Sequence, residues 1–160
     1  QGLSVAIGSA LTKKLNNDTS IVYCLMGDGE LQEGQNWEAI MYASAKKVDN
    51  IIGIIDLNGQ QIDGSTEDVL NMGDIKSKLN SFGWEVLEIN NGNDILSIIE
   101  GMDQAKNNLF KDKPVFVLLK TIMGNGVDFM MHTHEWHGKA PNDDQLEVAL
   151  KQNNETLGDY

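Results

Sequence analysis

Residues 21–29 read "IVYCLMGDG". A nearly unbroken run of apolar strand formers stops at an aspartate held between two glycines. Apolar residues without alternation suit a strand covered on both faces, and such strands belong to parallel sheets flanked by helices. Further strands are expected at 51–57 ("IIGIIDL"), 84–89 ("WEVLEI") and 114–121 ("PVFVLLKT").

Helical patterns separate these runs. Leu3, Ala6, Ile7, Ala10, Leu11 and Leu15 recur at helical spacing. Residues 34–47 place Trp37, Ile40, Met41 and Ala45 on one face, and a shorter helical piece covers about 73–81. Ile95, Ile98, Ile99 and Met102 set the register of a helix over 95–107, and "NDDQLEVALKQ" at 142–152 opens with a capping signature. Gly59–Thr66 reads as a polar loop, and 122–141 as a long loop holding three glycines and all three histidines. Alternating strands and helices predict an α/β fold, a mostly parallel sheet with helices on both faces, as one domain over 1–160.

Twelve Lys and Arg against 24 Asp and Glu leave a formal net charge of −12. Such a surface repels phosphate backbones and anionic lipid, which argues against nucleic acid and membrane partners. The lysines are dispersed, so an anionic ligand would need backbone amides or a metal ion. Cys24 is the only cysteine, which excludes an internal disulfide and fits a reducing cytoplasm. No apolar run approaches the ~20 residues of a membrane-spanning helix. The opening, "QGLSVAIGSALTKKL", has no initiator Met and starts inside a helical pattern. The native protein is therefore expected to have an N-terminal portion before Gln1.

Ligands of parallel sheets bind beyond the carboxyl ends of the strands. Asp28 follows the first clear strand and Asn58 the second, with one helix between them. A right-handed crossover makes those strands neighbours or near-neighbours. Their tips then offer one anionic and one neutral oxygen to a shared cavity, which suits Mg²⁺ completed by phosphate and water. Gly27 and Gly29 clear space for a phosphate, and the N-terminus of helix 34–47 would add a favourable dipole. Each piece alone is also a common turn; together they point to a magnesium-bridged diphosphate. Trp37 and Trp84 read as core or interface aromatics, and Trp136 as packing for the histidine loop. His132 and His134 read as loop residues.

Gly27-Asp28-Gly29, the following helix and Asn58 resemble the thiamine diphosphate signature. "GDGELQEGQNWEAIMYA", "DLNGQQIDG", "KTIMGNGVDFM" and "EWHGKAPNDDQ" resemble, in order, the N-terminal, diphosphate-binding part of transketolase, above all the bacterial form split into two polypeptides. The resemblance spans essentially the whole chain. It implies the thiamine diphosphate-binding fold, with Mg²⁺ (Ca²⁺ or Mn²⁺ as substitutes) held by the Asp28 carboxylate, the Asn58 amide oxygen and the Gln60 carbonyl. The Gly29 amide and the Gly2 segment would approach the diphosphate, with Gly27 in the same turn. Ile62 would lie against the thiazolium ring, and Glu33 would join a carboxylate network at the subunit contact. His137 would reach the diphosphate and substrate as a catalytic residue.

The family pattern is incomplete in two ways. Its upstream histidines have no counterpart, and the glutamate that activates the aminopyrimidine belongs to its other half. The resemblance therefore implies a partner, a C-terminal subunit carrying the pyrimidine-binding domain, in a homo- or hetero-oligomer. With it, the pair would transfer a two-carbon ketol unit between sugar phosphates. Rival readings are a deoxyxylulose phosphate synthase, a 2-oxo acid dehydrogenase component, or a non-catalytic partner subunit.

Overall fold

The computed structural model describes residues 1–153. In chain order the elements are α1 (Gly2–Leu15), β1 (Val22–Gly27), α2 (Gly34–Ala45), β2 (Ile51–Leu57), β3 (Gln60–Gln61), β4 (Gly64–Ser65) and α3 (Thr66–Leu70). They continue with α4 (Ile75–Ser81), β5 (Glu85–Ile89), α5 (Ile95–Lys106), β6 (Val115–Lys120) and α6 (Asp143–Gln152). The main sheet has four strands in the order β1-β2-β6-β5, and every pairing is parallel. The α/β architecture expected from the apolar runs is present.

On one face of the sheet α1, α2 and α4 bury Leu3, Ile7, Ala10, Ile40, Ala43 and Leu79 against Cys24, Met26, Ile51, Ile55 and Phe116. On the other, α5 covers Ile52, Ile89, Val115 and Val117. Each fully buried aliphatic side chain contributes roughly 1.5–3 kcal/mol. Trp84 sits at the centre of the larger core. Its ring packs 4.1 Å from that of Phe116, and its Nε1–H donates to the Ile40 carbonyl at 2.9 Å. Gly53 makes room for Phe116, since a Cβ there would lie 2.2 Å from a ring carbon.

Three expectations are corrected. β1 is not covered on both faces, since Tyr23 and Leu25 remain 46% and 69% exposed. β1 is an edge strand among the described residues, and α5 lies over the other end of the sheet. In α2 the buried face is Asn36, Ala39, Ile40 and Ala43, so Met41 and Ala45 point outward, and Ile95 and Ile99 of α5 are likewise exposed. The segment 59–66 is not a plain loop. Its ends form the antiparallel ribbon β3–β4, pinned by Thr66 N–H donating to Gly59 O at 3.0 Å, and α3 starts from it, capped by Ser65. Gly59 turns with φ +73°, a conformation that favours glycine.

α1 runs antiparallel to the sheet. Its C-terminal end meets the amino ends of the strands, where Asn50 donates to Ala10 O and Lys14 meets Asp49. Its N-terminus therefore faces the carboxyl ends of the strands.

Candidate functional site

Strand register brings the candidate residues together. Gly27 pairs with Asp56 across β1 and β2, so Asp28, one residue beyond the pair, and Asn58, two residues beyond it, leave the sheet at neighbouring strand tips. Beyond these tips lies a cleft of about 460 Å³ lined by residues 27–30, Asp56, Asn58, residues 60–63 and His137. Seven residues singled out from sequence, Gly27, Asp28, Gly29, Asn58, Gln60, Ile62 and His137, share it.

Asp28 is 4% exposed, and both carboxylate oxygens accept backbone hydrogen bonds. Gly29 N–H donates to Oδ1 at 2.8 Å and Gly59 N–H donates to Oδ2 at 2.7 Å. The second bond ties the tip of β1 to the turn after β2. Burial pushes the Asp28 carboxyl above its ordinary range, the two amides draw it back, and the neighbouring Asp56 charge pushes it up again. The described lining residues include four carboxylates (Asp28, Glu30, Asp56 and Asp63) and no lysine or arginine.

Asn58 is held at both ends of its amide. Its Nδ2–H donates to Asp56 Oδ2 at 3.2 Å, and its Oδ1 accepts from Gln60 N–H at 2.8 Å. Asp56 also accepts from the Thr121 hydroxyl at the end of β6. Neither Asp56 nor Thr121 was singled out from sequence. The available signal was period-two geometry, which puts Asp56 on the same side of the strand as Asn58.

His137 follows a single 3₁₀ turn, His134–Trp136, and its side chain is exposed at the rim. Trp136 closes the loop beneath it, donating from Nε1 to Phe129 O at 2.8 Å and packing edge-on against Phe129. Ile62 is 70% exposed at the mouth of the cleft, an apolar surface next to a polar floor. His132 and His134 are not among the residues lining the cleft.

Two candidates lie outside it. Gly2 opens α1, where a Cβ would come within 3.9 Å of the Cys24 sulfur, and Glu33 is exposed between a 3₁₀ turn and α2. That turn, Gly29–Gln32, separates Asp28 from α2. The cleft is consequently lined by the turn rather than by the N-terminus of α2, which corrects the expected dipole contribution.

The donor set fits a hard cation shared with a phosphate. Among the described residues no three His, Cys, Asp or Glu side chains form a complete metal cage. Mg²⁺ does not need one, because it keeps waters and takes its other oxygens from phosphates. The Asn58 carbonyl oxygen retains a second lone pair beyond the Gln60 bond. A Cβ at Gly27 would meet nothing within 4 Å, so the space beside Asp28 is open.

A family model described as "Transketolase, thiamine diphosphate binding domain" matches residues 1–157. An apulose-4-phosphate transketolase subunit from Actinobacillus succinogenes is 40% identical over 151 residues, 94% of this chain and 53% of that protein. A 6-deoxy-6-sulfo-D-fructose transketolase subunit from a Clostridium species is 38% identical over 129 residues, 81% of this chain and 46% of that protein. The crystal structure of transketolase from Campylobacter jejuni superposes with a TM-score of 0.79 at 29% identity, over 94% of this chain and 24% of the other. The chain thus spans about half the length of these subunit relatives.

Proposed function

Because the chain belongs to the transketolase family, in its thiamine diphosphate-binding domain, we propose that its strand-tip cleft holds thiamine diphosphate through Mg²⁺ and serves ketol transfer between sugar phosphates. One observation carries the reading. A buried carboxylate, Asp28, and the Asn58 carboxamide share a cleft whose described lining has no lysine or arginine. A diphosphate entering there meets four carboxylates, and a divalent cation turns that repulsion into attraction.

In this proposal Asp28, Asn58 and the Gln60 carbonyl bind the cation, with Ca²⁺ or Mn²⁺ as replacements. The Gly29 N–H turns from Asp28 Oδ1 to the diphosphate, and Gly27 leaves the approach clear. Ile62 offers the apolar contact for the thiazolium ring. His137, on a loop braced by Trp136, offers a polar contact to phosphate or substrate at the rim of the cleft. Gly2, at the N-terminus of α1, would approach the diphosphate from outside the cleft lining, and Glu33 would serve a subunit contact. When bound, the cofactor supplies the carbon–carbon bond chemistry; the chain's own part is to anchor and orient it.

The family resemblance puts the glutamate that activates the aminopyrimidine on the other half of the enzyme, so in this proposal activity requires a partner subunit carrying the pyrimidine-binding domain. Two relatives are named as transketolase subunits, which supports that division. Their names also span different ketoses, so the donor is assigned here only as an anionic ketose. Among the described residues no helix is long and apolar enough to cross a membrane, in keeping with the proposed cytoplasmic site of action.

Calorimetry with thiamine diphosphate tests the reading. Binding should require Mg²⁺ and disappear with a chelator. Ketol transfer should appear only when the partner is added. Cofactor binding independent of any divalent ion, or turnover by the chain alone, would overturn it.

A further inference from the structure

We propose that Asp56, itself held by Thr121, is a positioning residue that fixes which end of the Asn58 amide faces the cofactor cleft. The inference rests on the cofactor reading above and adds to it a residue pair from outside the ligand set.

A carboxamide is ambivalent. It has an oxygen that can ligate a cation and an NH₂ that cannot, and the two ends are nearly the same shape. A carboxylate only accepts hydrogen bonds. Asp56 Oδ2 lies 3.2 Å from Asn58 Nδ2, so the NH₂ end must face Asp56. At the other end the Gln60 N–H, 2.8 Å from Oδ1, can only donate. Rotating the amide by half a turn would oppose two acceptors at one end and two donors at the other. Both neighbours therefore select the same orientation, with the oxygen on the side away from Asp56.

Asp56 is itself restrained. Its backbone is paired on both sides, with Gly27 of β1 and Leu119 of β6. Its Oδ1 accepts from the Thr121 hydroxyl, and the Thr121 N–H donates to Leu57 O at 3.3 Å, closing the end of β6 onto the end of β2. Three strands thus converge on one amide. Asp56 also places a second negative charge beside Asp28, which strengthens the local attraction for a divalent cation.

The test uses the full-length protein assembled with its partner, titrated with Mg²⁺ and then with thiamine diphosphate at saturating Mg²⁺. Asp56→Asn gives the Asn58 amide a neighbour that can donate or accept. It should weaken Mg²⁺ affinity by about 10–100-fold, as for partners that orient a metal ligand, with an unchanged melting temperature. Thr121→Val removes only the hydroxyl and should weaken it by a smaller factor, whereas Thr121→Ser should restore the parent value. A readout independent of cofactor is the ¹⁵N-labelled Asn58 side-chain amide in metal-free protein. Its carboxylate-bonded proton should resonate downfield and return to the ordinary range in Asp56→Asn.

An unchanged Mg²⁺ affinity in folded Asp56→Asn, or an unmoved amide resonance, overturns the inference. Should Asp56→Asn fail to fold, Thr121→Val and Thr121→Ser decide it by the same titration, equal affinities counting against it. Asp28→Ala separates the two levels. Metal-dependent binding that survives Asp28→Ala sinks the cofactor reading itself. Binding lost in Asp28→Ala but intact in Asp56→Asn removes only the role of Asp56.

Discussion

Two aspartates are buried at opposite ends of the same sheet, Asp28 at 4% and Asp49 at 7% exposure, and they are treated in opposite ways. Asp49 precedes β2 at the amino ends of the strands. Lys14 Nζ lies 2.6 Å from its Oδ1, and Asp112 N–H donates to Oδ2 at 3.0 Å. Burial pushes the Asp49 carboxyl up, but Lys14 and the Asp112 amide outweigh it and hold the group below its ordinary range. Asp28, at the carboxyl ends, receives two backbone amides and a like charge, and stays above its ordinary range. A buried carboxylate that is fully compensated ties elements together. One left short of positive charge is a binding site for whatever supplies it.

The sharpest way to break this contrast is to remove each carboxylate's function separately. Asp28→Ala should reduce Mg²⁺-dependent thiamine diphosphate affinity by more than about 100-fold, since second-sphere losses alone reach that size. The variant should still fold, and calorimetry reads the loss. At the other end, Lys14→Met leaves Asp49 a partly buried charge without its cation, at a cost of about 1–3 kcal/mol. Urea denaturation should show this destabilisation, while cofactor affinity stays at the parent value. A Lys14 variant that loses cofactor binding would erase the distinction between the two ends.

The pH dependence of the two groups has opposite signs. The Asp49 pKa is lowered on folding, so its contribution is complete above the ordinary aspartate value of about 3.9 and is lost as pH falls through the folded-state pKa. Urea midpoints of wild type and Asp49→Asn should therefore differ near pH 6 and converge as pH falls below the ordinary aspartate range. The Asp28 pKa is raised, so its ionisation costs the metal-free fold stability at higher pH and protonation relieves it. Added Mg²⁺ should raise the midpoint near neutral pH in wild type and leave Asp28→Ala unmoved. The smallest effect belongs to Gln60→Ala. Only the backbone carbonyl of Gln60 is proposed as a ligand, so Mg²⁺ affinity should stay within about twofold; a loss like that of Asp28→Ala would mean its side chain takes part.

Much of this contrast was open to a reader of the sequence, and some was not. Asp28 and Asn58 were legible because each ends an apolar run, and a parallel sheet collects such ends on one side. The capping pair Asn142–Gln145 was legible because both bonds are local, and the structure contains both. Asp56 was legible only in part: period two puts it on the side of Asn58, but an aspartate inside "IIDLN" looks the same whether it faces solvent or a neighbouring strand. The partner that distinguishes these cases, Thr121, lies far along the chain. The openness of β1 was hidden for the same reason. "IVYCLM" records that the strand is apolar, not that Tyr23 and Leu25 on one of its faces stay exposed among the described residues.

From the sequence alone came the four strands of the main sheet and the helices other than α3, their parallel arrangement, the family resemblance and most of the residues now found around one cleft. Hydrophobic periodicity and turn chemistry act over a few residues, and those are local. Lateral order was decided only in three dimensions. β6 lies between β2 and β5 rather than after them, and that places Thr121 against Asp56 and Asp56 against Asn58. Which strand lies beside which depends on helices crossing over the sheet and on side chains such as Phe116 filling the space left by Gly53. Those contacts join residues distant in the chain, so the orientation of a single amide had to await the packed sheet.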